Sequence, residues 1–219
     1  MITCHIPSVP NRALSLQKTV NSIIGQVDKL YISLNGYEKI PNWIISNKIH
    51  AEILDNSLTD GAKWLHCWDE SAICVHLDDD LIVPQDFVRH MLDGYLAYGG
   101  AVSLHGKIYG NRPITHYKRN FTLNYRCLGT VHNDVPGIDV IGTGCMLFDN
   151  EQVKKDDSLF EYKNMADVLF SRLCHQQNIP MTVLAHKAGW LMYMPQEVTI
   201  WRTTPDDSIQ TRLINEFLK

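Results

Sequence analysis

The chain has 219 residues, 45% of them hydrophobic and 20% charged, with a net charge of −4 at neutral pH. That length suits one domain with an ample core, and the slight acidity offers no bulk attraction to nucleic acid or an anionic membrane. No apolar run approaches the roughly 18 residues of a membrane span, and no basic-then-apolar leader starts the chain. A cytoplasmic protein without a transmembrane segment is expected, with peripheral membrane contact left open. The six cysteines contain no C-x-x-C pair and mostly lie in apolar segments. They are expected to be reduced packing residues, neither zinc ligands nor disulfides.

Met1–Ile6 reads as a first strand, broken by Pro7-Ser8-Val9-Pro10. A helix is predicted from Arg12 to Ile24, with Leu16, Val20, Ile23 and Ile24 on one face. Lys29–Leu34 is a second strand closed by Asn35-Gly36, which makes a βαβ unit with parallel strands. Ile49–Leu54 gives a third strand, and Asp60-Gly61 opens a short helical segment through Trp64, Leu65 and Trp68. Ile73–Leu77 does not alternate, as expected of a strand buried on both faces. Strand alternation carried beyond it sets Asp78 and Asp80 on one side and Asp79 on the other.

Pro84 is expected in the first turn of a helix that buries Val88, Met91, Leu92 and Tyr95 and ends at Gly99-Gly100. Ala101–Leu104 is another strand. Residues 106–137 lose all periodicity, so a binding segment with a weak hairpin is expected there. Asp139–Phe148 resumes as a strand interrupted at Gly142-Thr143-Gly144. A helix over Asn164–Gln176, a central strand at Met181–Ala185, the segment Thr199–Trp201 and a helix around Ile209–Leu218 complete the chain. The alternation predicts one α/β domain, Rossmann-like, with a mostly parallel central sheet flanked by helices.

The organising stretch is Asp78-Asp79-Asp80 at the end of the central strand. Ligands of open α/β sheets sit outside the carboxyl ends of strands, and paired carboxylates there suit a hard divalent cation such as Mg²⁺ or Mn²⁺. The plain structural alternative is a solvated acidic turn.

Several segments together resemble the GT-A glycosyltransferases, most closely family 2, the inverting nucleotide-sugar-dependent enzymes. They are Ile6-Pro7-Ser8 with Arg12, Val27-Asp28-Lys29 with Asn35, Asp60-Gly61-Ala62-Lys63, the acidic triplet, Gly142-Thr143-Gly144 and Asn164-Met165-Ala166-Asp167. The similarity spans Ile2 to about Thr211. Two departures stand out: Ala166 occupies a position that is often Glu in the family, and the membrane helices or extra domains of many members are missing.

The resemblance implies a donor-binding half over about 1–105 and an acceptor-binding half over about 106–219. It implies Asp80 as the direct ligand of a divalent cation bridging the donor diphosphate, Asp78 beside the ribose or as a second ligand, and Asp79 near the donor sugar or only capping the turn ahead of the Pro84 helix. His186 is a further candidate ligand. Pro7 and Ser8 would border base and ribose, Asn35 the base, Asp60 the base or ribose, and Arg12 and Lys63 the diphosphate. Gly142, Thr143 and Gly144 would line the acceptor pocket. Asp167 would be the base that deprotonates the acceptor hydroxyl, with UDP the default nucleotide.

Each has a structural alternative. Asp60 suits an N-cap of its own short helix, and Asn164 with Asp167 suits a capping box. The glycine-rich triplet suits a bulge, His186 a half-buried surface residue, Arg12 and Lys63 solvated charges. Trp190, Trp201, Tyr109, His116 and Tyr117 offer faces for sugars, but scattered aromatics are expected to be core. Competing functions are a nucleotidyltransferase acting on sugar phosphates, disfavoured by the absence of an early glycine-rich phosphate loop, and a non-catalytic nucleotide- or carbohydrate-binding relative.

Overall fold

A computed structural model describes residues 1–196 and 206–219; the expected Thr199–Trp201 segment, Trp201 included, lies outside the described residues. The first half builds β1 (Ile2–Ser8), α1 (Ala13–Ile23), β2 (Lys29–Asn35), β3 (Ile49–Leu54), β4 (Ile73–Leu77), β5 (Leu81–Ile82), α2 (Phe87–Tyr98) and β6 (Ala101–Ser103). Next come β7 (Gly106–Ile108), β8 (Leu123–Tyr125), β9 (Val135–Pro136), β10 (Val140–Ile141) and β11 (Cys145–Asp149). The chain continues with α3 (Ala166–Gln177), β12 (Met181–Val183), β13 (Met192–Tyr193) and α4 (Ser208–Phe217).

The main sheet has the order β3-β2-β1-β4-β11-β6-β12-β9. Strands β3, β2, β1 and β4 run parallel. Strand β11 lies antiparallel to both neighbours, β4 and β6. The sheet is therefore mostly parallel, with one reversed strand, β11, at its centre and another, β9, at its edge beside β12. The expected single strand over 139–148 is divided between two sheets, because β10 pairs with β7 while β11 enters the main sheet. The hairpin in the aperiodic segment is β7–β8, and it completes the three-stranded sheet β10-β7-β8.

Alternation along β4 and β11 sends side chains into two cores. Val75, Leu77, Cys145 and Leu147 meet Leu16 and Val20 of α1 and Phe87 and Met91 of α2. Cys74, Met146 and Phe148 face the opposite layer, with Trp64, Leu169 and Phe170 of α3 and Leu213 of α4. The non-alternating β4 is thus covered on both sides, each fully buried Leu or Phe contributing about 2 kcal/mol. Pro84 precedes α2 instead of sitting in its first turn: the Phe87 N–H reaches the Pro84 carbonyl at 3.2 Å. After α2, Gly100 has φ +65°, and a Cβ there would lie 2.2 Å from the Pro180 oxygen, so only glycine fits. Among the described residues no helix is long and apolar enough to cross a membrane.

Candidate functional site

The carboxyl ends of β1, β2 and β4 open onto a cleft of about 520 Å³. One wall carries Pro7, Ser8, Arg12, Asn35, Asp60 and Lys63, the floor carries Asp78, Asp79 and Asp80, and Thr143 and Asp167 stand on the other wall. Gly142, Gly144 and His186 are not part of its lining.

The acidic triplet departs from strand alternation because β4 ends at Leu77 and the chain turns. The Leu81 N–H closes onto the Asp78 carbonyl at 3.3 Å, and the Asp78 N–H donates to the Gly144 carbonyl at 2.8 Å. Asp79 and Asp80, expected on opposite sides, both face Arg12, whose Nη1 lies 2.8 Å from Asp79 and 3.4 Å from Asp80. Asp79 also accepts from Ser8 Oγ at 2.6 Å, which ties the end of β1 to the turn after β4. Asp78 points elsewhere, to Lys63 Nζ at 3.3 Å. The two expected diphosphate cations are therefore turned inward onto carboxylates. Lys63, 3% exposed, is no solvated charge.

Electrostatics follow from this crowding. Burial, then Asp78 and Asp79, push the Asp80 carboxyl up to about 7, and Arg12 offsets this only in part. Asp79 is also raised, by burial, against the pull of Ser8 and Arg12. A floor with this excess of negative charge fits an oxygen-seeking dication. Mg²⁺ and Mn²⁺ commonly take one or two carboxylates and draw their remaining ligands from phosphates and water. Asp80 and Asp78 are the residues that would hold it, since Asp79 is engaged by Ser8 and Arg12.

His186 does not join them. Its Nδ1 lies 2.8 Å from the Leu184 carbonyl and its Nε2 3.1 Å from the Arg126 carbonyl, in a separate hollow beside Val131. Carbonyls only accept, so a neutral ring donates to one of them at a time; it is the place of His186 outside the cleft that separates it from the acidic floor, and the expectation of a histidine ligand there fails.

Lys63 is the hub of the cleft. Burial opposes its charge, but Asp78, Asp60 and Asp167 together raise its pKa, so it stays cationic. Its Nζ also lies 3.3 Å from Thr143 Oγ1. Thr143 in turn donates its N–H (2.8 Å) and its hydroxyl (2.7 Å) to Asp167 Oδ1. Burial alone would raise Asp167; Lys107, His105 and Thr143 outweigh it and hold the carboxyl below its ordinary value. Asp167 lines the cleft, and both hydrogen bonds from Thr143 go to its Oδ1. Lys107 is itself buried, which lowers its pKa to about 8.

The capping-box alternative for Asp167 fails. Asn164 adopts φ 59°, the helix begins at Ala166, and its N-cap residue Met165 makes no side-chain cap. The Ala166 N–H is instead capped from across the cleft by Asp60 Oδ2 at 3.0 Å. Asp60 thus serves α3 and not its own short helix, and burial raises its pKa despite Lys63.

Asn35 donates to the Thr59 carbonyl at 3.0 Å, while its Oδ1 is buried without a partner among the described residues, an acceptor at the cleft edge. Of the glycine-rich triplet only Thr143 lines the cleft. A Cβ at Gly144 would lie 2.2 Å from Asp78 Oδ2, and one at Gly142 would lie 2.7 Å from His105 Cβ. These glycines make room for neighbours instead of forming an acceptor pocket.

Sequence reasoning missed Asn56 and Thr59, which line the rim with φ of 65° and 50°. It also missed Lys118 and Gln210 of the far wall. A left-handed Thr is rare and marks a site where the fold imposes strain. Tyr117, expected as core, is buried and also lines the cleft. Trp190 packs on Phe87 and His90, as a core aromatic would.

The sequence matches no protein-family model and no curated protein. Two of the solved structures with a similar fold illustrate it. One is S. aureus TarS 1-349, a GT-A-like glycosyltransferase, with TM-score 0.55 and 15% identity over 85% of this chain. This chain spans 58% of that structure's length. The other is the 4-diphosphocytidyl-2C-methyl-D-erythritol synthase of Anaerococcus prevotii DSM 20548, with TM-score 0.55 and 11% identity over 100% of this chain and 98% of that one. At these identities the likeness shows the fold, which is GT-A-like.

Proposed function

We propose that the chain is an inverting, divalent-cation-dependent glycosyltransferase of the family 2 type. It would move a sugar from a nucleoside diphosphate sugar, UDP-linked, to a hydroxyl of a glycan or other acceptor. One observation carries this reading: a carboxylate, Asp167, lines the same cleft as the acidic floor and is tied to it through Thr143 and Lys63. A cation held by Asp78 and Asp80 would act as a Lewis acid on the departing diphosphate.

The chain's own groups divide the remaining work. Ser8 and Arg12 fix Asp79, and Asp80, held by Arg12 only at 3.4 Å, would turn to the donor side. Asn35 offers its unpaired oxygen to a base N–H. Asp167 Oδ2 accepts the acceptor hydroxyl proton as the oxygen attacks the anomeric carbon. The bond to the diphosphate oxygen breaks on the opposite face and its electron pair leaves with the nucleotide, which inverts the centre. Thr143 keeps Asp167 oriented, and Lys107 favours its ionised form.

The test is a thermal-shift series with nucleotides, with and without Mn²⁺, followed by hydrolysis assays over a panel of nucleotide sugars. Stabilisation by a nucleoside diphosphate only in the presence of Mn²⁺, with slow hydrolysis of one donor, is expected. Indifference to the cation would sink the reading. Preference for a triphosphate would favour the second one, a nucleotidyltransferase on sugar phosphates, whose fold the Anaerococcus enzyme shares.

A further inference from the structure

Below the cleft, on the sheet face opposite α1, lies a set of soft ligands that sugar transfer does not use. His5 of β1, Cys74 of β4 and Cys67, in the turn after the short helical segment Thr59–Trp64, are 2%, 0% and 1% exposed. One ring nitrogen and the two Sγ atoms all lie within 4.8 Å of one another. His76, 0% exposed, sits beside His5 in register on β4. It brings Nε2 to 3.1 Å from Cys67 Sγ, while its Nδ1 has no partner among the described residues.

From these positions we infer a structural zinc-class site in which His5, Cys67 and Cys74 bind one tetrahedral dication and His76 stands as the fourth donor. A tetrahedral centre with Zn–S of about 2.3 Å and Zn–N of about 2.0 Å spaces its ligands roughly 3.5–3.8 Å apart. The His5, Cys67 and Cys74 donors therefore need to close by about 1.3 Å at most from the outer limit observed, while His76, which lies outside that group but 3.1 Å from Cys67 Sγ, must swing in to complete the set. Two thiolates neutralise a dication, so the filled site adds no net charge to a core that tolerates none. A sulfur and imidazole set without carboxylate favours zinc over the Mg²⁺ or Mn²⁺ expected in the cleft.

Placement gives the site a purpose. Cys67 Sγ lies 3.0 Å from the carbonyl of Lys63, the hub cation. Cys74 is on the strand that runs into Asp78, and His5 is on the strand that ends at Ser8. One ion would fasten together the three segments that supply the donor side of the cleft. The inference does not depend on the proposed reaction. Cys67 and Cys74 are unpaired and buried, as expected of packing residues, and the proposed site adds a ligand role for both.

A second group, His50, Glu52 and His66, lies near the surface and would bind metal ions without thiolates. The test therefore uses the full chain carrying His50→Ala and His66→Ala. It is produced in cobalt-supplemented medium, so that the buried site loads while the chain folds. About one cobalt per chain, with a thiolate-to-cobalt charge-transfer band and tetrahedral d–d bands, is expected. Adding Cys67→Ser or Cys74→Ser should abolish the charge-transfer band and lower cobalt content at least about tenfold.

If those variants fail to fold, the unmutated chain still decides. Grown with zinc, it should release about one zinc per chain to a metallochromic dye as a mercurial titrates its thiols. A folded protein with less than about a tenth of an equivalent of metal and no charge-transfer band would overturn the inference. The cluster would then be a hydrogen-bonded thiol network only.

Discussion

Replacing Asp80 by Asn should make the cation-free protein more stable while abolishing its response to Mn²⁺. The Asp80 carboxyl is raised from 3.8 to about 7 by burial and by Asp78 and Asp79, so ionising it in the folded protein costs free energy. Because the folded pKa lies above the unfolded one, the penalty grows as pH rises from near 4 to about 7 and stays constant above that. Three units at ~1.36 kcal/mol each set an upper bound of about 4 kcal/mol. Asp78 and Asp79 share that repulsion, and the variant loses the Arg12 contact, so about 2 kcal/mol is expected for Asp80→Asn. For a chain of this size that raises Tm by roughly 4–8 °C near pH 8, and the gain shrinks by about pH 5. Thermal unfolding in chelator and then in Mn²⁺ reads both effects. An Asp80→Asn protein no more stable than the parent at alkaline pH, or still stabilised by Mn²⁺ to the parent's extent, would refute the assignment of the floor as a cation site.

Four further outcomes follow from the same geometry. Asp167→Asn should keep the combined response to nucleotide and Mn²⁺ while transfer falls about 10²–10⁴-fold; near-normal transfer would remove Asp167 as base. Lys63→Met should cost about 3–5 kcal/mol in urea unfolding, since it strands Asp78, Asp60 and Asp167 together, and acidification should relieve the loss. A cost under about 1 kcal/mol would mean that water, not Lys63, neutralises them. Gly144→Ala should fold yet bind Mn²⁺ about tenfold more weakly, because its Cβ would occupy the position of Asp78 Oδ2; unchanged affinity would exclude Asp78 as a ligand. His186→Gln should leave the Mn²⁺ response intact, and its loss would restore the histidine to the cation site.

What sequence made legible was what depends on neighbours along the chain. The strand–helix–strand opening, the doubly buried β4 and the position of the acidic triplet follow from periodicity and punctuation, and the structure has them in place. The failures came where a distant segment decided the outcome. The triplet's side chains are aimed by Arg12 and Lys63, which arrive from other elements. The start of α3 is capped by Asp60, 106 residues earlier, so a local capping motif was misleading. His186 sits in an apt place on the chain, yet its ring lies outside the cleft. The interrupted strand over 139–148 shows no sequence sign that its two halves enter different sheets.

The reversed strand β11 has a geometric consequence. In a purely parallel sheet, only the chain leaving each strand can furnish the working edge, so every group there comes from an exit loop. Because β11 points the other way, its approach, Gly142 to Gly144, reaches that same edge alongside the departure from β4. Thr143 thereby meets Lys63 and Asp167 at once. The inversion of a single strand lets the rim draw on incoming as well as outgoing chain, which joins its two banks with a side chain as small as threonine.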